Sequence, residues 1–359
     1  MRRSLSLGTI NKIDKSGLLD ILLDFPVQCK VAISIADKVS LPASFKDITK
    51  VVFLGSGGSA IGSDLVKSYL YFESKVSVSV IRDYDPPAYI DNNTLVFVVS
   101  YSGNTEETLS AYKSAVELGG KVIVVSSGGL LKECALRDKE VFIEVPPNIP
   151  PRCGLGYLSI IPLCILAKLG LIKDVRDEVI RLSSVLESLR DLNLNPHIGQ
   201  KDNIAKHIAF RLYNRFPVIY APSIYFEACA VRFKGQLNEN SKVLASSNVF
   251  PEVSHNEIMG WQAERRILKN VSVIMFRDNF INPRISKRMD IVRDLIRKRG
   301  VEVNEIHSRG TELLSRIFSL VYIGDFISFY LAILRGIDPT PIDNINYLKQ
   351  ELAKGKLNS

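Results

Sequence analysis

Two short segments of this 359-residue chain combine small residues with hydrogen-bond donors in a way that suits a bound oxyanion. Residues 55–59 read Gly-Ser-Gly-Gly-Ser, and residues 100–105 read Ser-Tyr-Ser-Gly-Asn-Thr. Glycine lets the backbone approach a ligand closely, and the hydroxyls of Ser and Thr add donors. Where such a segment opens a helix, free N–H groups and the positive end of the helix dipole favour a phosphate. Neither segment has the GxxxxGK[ST] spacing of a nucleoside-triphosphate loop. The first could pass for a loose dinucleotide loop, but GSGGSAIG lacks the GxGxxG register, and Asp83 and Asp85 after the next apolar run add little. Tight turns and helix capping explain one such loop as well as phosphate binding does. Two of them on neighbouring strands favour phosphate.

The elements that must carry these loops are legible as alternating strands and helices. Residues 50–54 (KVVFL), 76–82, 94–100 (TLVFVVS), 121–126 (KVIVVS) and 141–145 (VFIEV) are short β-branched runs, with helical periodicity over 60–72 and 106–118. Near-continuous apolar strands separated by helices predict a parallel sheet covered on both faces. The Asn/Pro/Gly cluster at 192–199 reads as a linker. A second βα block follows, with strands predicted at 217–221, 271–276 and 301–307. Its helices are predicted at 203–213, 224–236, 284–299, 311–334 and 342–357. The shared rhythm suggests a duplicated unit, although no clear identity links the halves.

Composition narrows the classes. Hydrophobic residues make up 46% and charged residues 23%, which fits a globular chain and excludes a disordered or collagen-like one. Lys and Arg number 46 against 38 Asp and Glu, so the net charge of +8 favours anionic ligands, either nucleic acid or phosphorylated metabolites. The five cysteines (Cys29, Cys134, Cys153, Cys164, Cys229) form no CxxC, and the four histidines show no metal-ligand spacing. Buried thiols and no metal are expected. The N-terminal MRRSLSLGTINK lacks the apolar run of a signal peptide. The apolar stretches 156–172 and 317–334 are broken by Lys168 and Asp325 and fall short of a membrane span, so buried core helices and a cytoplasmic protein are expected.

The sequence strand–GSGGS–helix followed by strand–SYSGNTEET–helix resembles the sugar isomerase domain, a family of phosphosugar binders. Further segments, in order, are similar to one branch of it, the bifunctional phosphoglucose/phosphomannose isomerases. They are Pro151-Arg152-Cys153-Gly154-Leu155-Gly156, Leu237-Asn238-Glu239-Asn240, Glu252-Val253-Ser254-His255-Asn256, and Asp338-Pro339-Thr340-Pro341 with Leu348-Lys349. The resemblance runs from about residue 50 to 350. It implies an α/β fold of two sugar-isomerase-type domains, 1–190 and 191–359, each a mostly parallel sheet flanked by helices. It also implies aldose–ketose isomerisation of a phosphorylated hexose without metal or redox cofactor.

Such chemistry needs a base for the carbon-bound proton, a ring-opening acid–base, a cation for the enediolate and an anchor for the distal phosphate. The resemblance assigns the base to Glu239, ring opening to His255 with Lys349 as second candidate, and the enediolate to Arg152. It places Thr340 near C1–C2 of the sugar, where a small residue leaves room for both C2 epimers. Ser59, Ser100, Ser102 and Thr105 would hold the phosphate, with Gly57 and Gly58 approaching by backbone. Relatives often carry a second histidine before His255; here that place is Ser254. The resemblance further implies a homodimer in which His255 reaches the neighbouring chain's site, with no nucleic-acid or membrane partner.

The alternative is a phosphosugar-binding sensor without catalysis. Such regulators carry a helix-turn-helix domain ahead of the sensor, and only about 50 residues precede the first loop. The isomerase half of a glucosamine-phosphate synthase would need an N-terminal cysteine, and residues 2–28 contain none. The basic segment 284–299 reads as a solvated helix face rather than a nucleic-acid patch.

Overall fold

The computed structural model describes residues 4–354. Three helices, α1 (Leu7–Ile13), α2 (Leu18–Leu23) and α3 (Phe25–Asp37), precede the first sheet. That unit then runs β1 (Lys50–Leu54), α4 (Gly57–Glu73), β2 (Ser77–Ile81), β3 (Thr94–Val99), α5 (Glu106–Glu117), β4 (Lys121–Ser126), α6 (Gly129–Arg137) and β5 (Val141–Glu144). The strands form a parallel sheet in the order β2-β1-β3-β4-β5. Every residue of β3 is buried, so no polar alternation marks it. β1 lies between β2 and β3, with Leu54 opposite both Ile81 and Val98. The chain therefore leaves β1 and β3 at the same sheet edge on neighbouring strands, where the strand order reverses. That crevice is where open α/β sheets bind ligands.

Helices α7 (Leu155–Lys168) and α8 (Arg176–Leu189) lead to the second unit. It consists of α9 (Ile204–Leu212), β6 (Phe216–Pro222), α10 (Glu227–Glu239), β7 (Ser246–Phe250), α11 (Arg265–Leu268), β8 (Val271–Arg277), α12 (Pro283–Lys298), β9 (Glu302–His307), α13 (Leu313–Arg335) and α14 (Asp343–Lys354). Its sheet is parallel with order β7-β6-β8-β9, which repeats the first four positions of the other sheet. The α/β architecture of two mostly parallel sheets is as expected. Residues 355–357 of the expected last helix lie outside the described residues.

Several boundaries differ from expectation for local reasons. β7 (SSNVF) is a half-buried edge strand with no apolar run to reveal it. The helix ending near 236 continues to Glu239. The chain at 192–199 is not a loose tether. Asn203 donates to the carbonyls of Leu194 and Asn195 at 2.9 and 3.0 Å, and Lys206 Nζ donates to those of Pro196 and Ile198 at 2.6 and 2.9 Å. The basic helix α12 spends its charge locally, with Arg293 and Arg297 both paired to Glu305 of β9.

α13 is the apolar axis of the molecule. The expectation that 317–334 falls short of a membrane span is corrected: α13 is long and apolar enough to cross one, and its most apolar stretch is entirely buried inside the protein. It packs on α8, α9 and α10, while α7 packs on α3 and α4. A helix hydrophobic on all sides needs such all-round cover. Its one acidic residue inside that stretch, Asp325, is matched by Arg232 of α10, with Nη2–Oδ2 at 2.9 Å and both side chains about 5% exposed or less. Removing one partner of a buried pair strands the other charge. Arg232→Met is therefore expected to lower unfolding free energy by about 3–5 kcal/mol in a urea titration. Adding Asp325→Leu should recover much of that loss. A single variant within about 1 kcal/mol of the parent would contradict this account of the pair.

Candidate active site

The first loop is drawn into helix α4, which starts at Gly57 (φ +54°) after the N-cap Ser56. Ser56 makes no side-chain cap, so the amides of Gly57 and Gly58 remain open to an anion, while those of Ser59 and Ala60 donate to Ser56 O. A Cβ on Gly58 would lie 2.9 Å from Cα of Arg152 and 3.0 Å from its nitrogen. Only glycine permits α4 to start against that backbone. Ser59 is buried, and its Oγ accepts from Tyr101 N at 3.0 Å, which joins the two loops.

The second loop is held from both sides. Ser100 Oγ donates to Thr105 Oγ1 at 3.1 Å, so Thr105 is not spent on capping α5. Gly103 sits at φ +68°, and a Cβ there would fall 1.8 Å from the carbonyl oxygen of Gly128. A third loop, Ser126-Ser127-Gly128-Gly129, braces it: Ser127 Oγ donates to Tyr101 O at 2.6 Å, and Leu130 N donates to Asn104 Oδ1 at 3.0 Å. Ser102 and Thr105 stay partly exposed at the rim. Tyr101 Oη donates to Pro146 O at 2.7 Å and accepts from Ile149 N at 3.3 Å, tying this loop to the segment that delivers Arg152.

Arg152 lies in a single 3-10 turn, Pro151–Cys153, and is only 3% exposed. Its Nε donates to Asn240 Oδ1 at 2.8 Å, and Nη2 donates to the carbonyls of Pro339 and Thr340 at 3.1 and 3.0 Å. Nη1 faces Oε2 of Glu239, the last residue of α10, at 3.5 Å. The Glu239 side chain keeps 30% exposure and lines a cleft of about 470 Å³ with Lys242, Leu244 and Pro341. Lys242 adopts φ +54° and donates to the carbonyls of Glu239, Pro339 and Pro341. Burial lowers its pKa, and the neighbouring Arg152 charge lowers it further. Thr340 Oγ1 is buried with no hydrogen-bond partner. Burial pushes the adjacent Cys153 thiol up to about 12, so no thiolate competes here.

The structure thus gathers Gly57, Gly58, Ser59, Ser100, Ser102 and Thr105 at one sheet edge, with Arg152, Glu239 and Thr340 joined to it through Gly58. It does not bring His255 or Lys349 to them. His255 caps a short turn beyond β7 and is exposed. Lys349 is exposed on α14, which buries no side chain. Among the described residues, no hydrogen bond or ion pair links either to Arg152 or Glu239. Sequence reasoning missed Asn240 as a ligand of Arg152, Lys242 as the clamp on residues 339–341, and the Ser-Ser-Gly-Gly brace. Only the last left a signal, in the small residues that follow KVIVV.

A larger cavity of about 610 Å³, with Arg215, Arg265, Lys269 and Arg299 in its wall, lies at the opposite edge, where the chain enters β6, β8 and β9. Helices α9 and α12 end there, and their C-terminal carbonyls favour cations. Arg299, for one, donates to Ala263 O at 3.1 Å. None of the residues lining it belongs to the loops described above.

Residues 44–164 match the family pattern of the SIS domain, and residues 201–352 match that of the bacterial phospho-glucose isomerase C-terminal SIS domain. A bifunctional phosphoglucose/phosphomannose isomerase of Caldicellulosiruptor bescii is 44% identical over 340 residues, covering 94% of this chain and 100% of that protein. One of Aquifex aeolicus is 37% identical, covering 86% of this chain and 93% of its own length. The chain belongs to the bifunctional phosphoglucose/phosphomannose isomerase family. Among solved structures, the C-terminal domain of glucosamine-fructose-6-phosphate aminotransferase from Francisella tularensis superposes with a TM-score of 0.68 at 15% identity, over 90% of this chain and 97% of that one. That likeness reports the fold. The phosphoglucose/phosphomannose isomerase family thus has here two SIS domains, with Glu239 and Arg152 face to face beside the first glycine loop.

The Gly58–Arg152 contact gives a direct check on this isomerase-family site. In Gly58→Ala the added methyl meets backbone atoms on Arg152 and Pro151 that have no rotamer to yield. Overpacking of this kind is expected to lower stability by about 1–3 kcal/mol and to weaken binding of inorganic phosphate. Thermal unfolding and calorimetric titration measure the two effects. Parent-like values for both would show that α4 and the arginine turn are not in contact.

Proposed function

We propose that the chain interconverts glucose 6-phosphate and mannose 6-phosphate with fructose 6-phosphate through a cis-enediol. The observation that carries this reading is the Glu239 carboxylate held 3.5 Å from the buried Arg152 guanidinium, next to a glycine loop suited to phosphate. The names of relatives 34–44% identical to the chain support the same substrates.

In the proposed reaction the phosphate sits on the amides of Gly57 and Gly58 and the hydroxyls of Ser59, Ser102 and Thr105, while Ser100 orients Thr105 with its own proton and joins the phosphate only if that hydroxyl turns. Anchoring that end fixes the reacting carbons and contributes to the rate through orientation. Glu239 removes the C2 proton of the open-chain aldose, a C1–C2 double bond forms, and O1 takes up a proton. Glu239 then returns its proton to C1 while O2 loses one, which gives the ketose. Negative charge accumulates on O1 and O2 on the way. Arg152, permanently protonated and pre-positioned in a dry setting, meets it. Both C2 epimers give the same enediol, and Glu239 reaches either C2 proton if the C1–C2 unit turns about the C2–C3 bond, for which the small Thr340 is assigned to leave room.

His255 and Lys349 supply ring opening and proton transfer at oxygen. Because His255 is exposed and makes no hydrogen bond or ion pair with Arg152 or Glu239 among the described residues, it serves the site of a second chain in a homodimer. The exposed Tyr347, Leu348 and Leu352 of α14 support such an assembly. The first domain (1–190) thus holds phosphate and Arg152, and the second (191–359) supplies the base.

A coupled assay on chelator-treated protein, offered each aldose phosphate separately, is expected to yield fructose 6-phosphate from both. Glu239→Gln should reduce turnover by about 10²- to 10⁴-fold while phosphosugar binding stays within a few-fold. Retained turnover would assign the base elsewhere. Binding without any turnover in the parent would favour a phosphosugar sensor. Specific activity is expected to fall on dilution as dimers separate. A fully active monomer would refute the shared site.

A further inference from the structure

We infer that Asn240 is a positioning residue for the isomerisation, fixing the Arg152 guanidinium so that one nitrogen, Nη1, is aimed at Glu239. The inference rests on the isomerase reading above and adds to it a side chain that never touches the reacting atoms.

A guanidinium offers donors on three nitrogens in a rigid fork. Asn240 Oδ1 takes Nε at 2.8 Å, and the carbonyls of Pro339 and Thr340 take Nη2. Nη1 is what remains, 3.5 Å from Glu239 Oε2. The three acceptors that hold the group are all uncharged. They fix its orientation without cancelling its charge, which leaves the cation available to a developing oxyanion. A carboxylate at position 240 would hold the same nitrogen but neutralise it.

The amide of Asn240 is itself given only one orientation. Its Nδ2 donates to Ser328 Oγ at 2.9 Å, and Ser328 Oγ donates onward to Asp325 O at 2.7 Å. A hydroxyl has one proton, so Ser328 accepts from Asn240 and cannot donate to it. This places Nδ2 toward α13 and Oδ1 toward Arg152. Ser241 Oγ donates to Ser328 O at 2.6 Å, and the Arg232–Asp325 pair ties α10 to α13 beside it. Asn240 is wholly buried, so water does not replace the contact.

The test compares Asn240→Ala, Asn240→Asp and Ser328→Ala in the full-length chain, with kcat per folded molecule, KM for both aldose phosphates, and thermal stability. Asn240→Ala frees the guanidinium to shift. A misplacement of about 1 Å can cost on the order of 10²-fold, so kcat is expected to fall roughly 10- to 100-fold. KM should change less than about threefold, because the phosphate loops are untouched. Asn240→Asp should lose at least as much kcat although it keeps an acceptor on Nε. Ser328→Ala should show a smaller loss of the same kind, and no further loss when added to Asn240→Ala. A purely structural role would lower stability and leave kcat per folded molecule unchanged. Such a result, or additivity of the two alanine variants, overturns the inference. If Asn240→Ala does not fold, the other two variants decide by the same criteria. A parent without turnover overturns the isomerase reading itself, whereas an active parent with an equally active Asn240→Ala overturns only the role of Asn240.

Discussion

A permanently charged guanidinium buried at 3% exposure is the constraint around which this chain is arranged. Desolvating a cation is tolerable only where dipoles and a counter-charge surround it. Arg152 obtains them from remote parts of the sequence: an amide after α10, two carbonyls beyond α13 and the Glu239 carboxylate. Its own backbone is pressed against the first turn of α4 at Gly58. One side chain therefore joins the phosphate-type loop, the carboxylate and the connection between the last two helices. Moving any of these alone would expose or unpair the charge.

The two sheets treat the same plan differently. Each places its first strand at the reversal of strand order, and each turns through a left-handed residue soon after that strand, at Gly57 (φ +54°) in one and Ile224 (φ +68°) in the other. In the first sheet the glycine lets backbone amides line the crevice. In the second, a β-branched side chain occupies this costly conformation. There Asp278 fills the space after β8 with its own carboxylate, accepting from Arg316, Ser308 and the amide of Phe280. The second crevice is satisfied from within, and its helix α10 presents the Glu239 carboxylate to Arg152 from the opposite end.

How much of this the sequence discloses depends on whether the cause is local. Strands such as KVVFL, TLVFVVS and KVIVVS declare themselves because a strand buried on both faces must be apolar throughout. The two donor-rich loops are legible because turn geometry and close approach restrict the residues allowed. The edge strand SSNVF and the helices α1 and α2 carry no such local demand and leave no comparable signal. At the site, Glu239 and Arg152 were identified by the motifs around them, since composition and spacing do not distinguish them from surface charges. Asn240 closes the Leu237–Asn240 motif and Lys242 lies just beyond it, and neither shows a role in the sequence. Asn240 meets Arg152 and Ser328, each 88 residues away, and Lys242 meets the carbonyls of Pro339 and Pro341, 97 and 99 residues away, which no local pattern encodes. His255 and Lys349 remain where the motifs put them, exposed on one chain.

The span of the Arg152 contacts has a consequence for how the molecule comes into being. Asn240 is 88 residues beyond Arg152, and Pro339 is 187 beyond it. Contacts so distant in sequence form late, because the intervening loop entropy must first be offset by local structure. On a ribosome, both sheets would be complete before residues 339 and 340 emerged to close around the guanidinium. Until then the cation would have neither its carbonyls nor a settled orientation. The finished site thus acts as a marker of chain completion, and a nascent or truncated molecule would hold its folded sheets without a poised arginine.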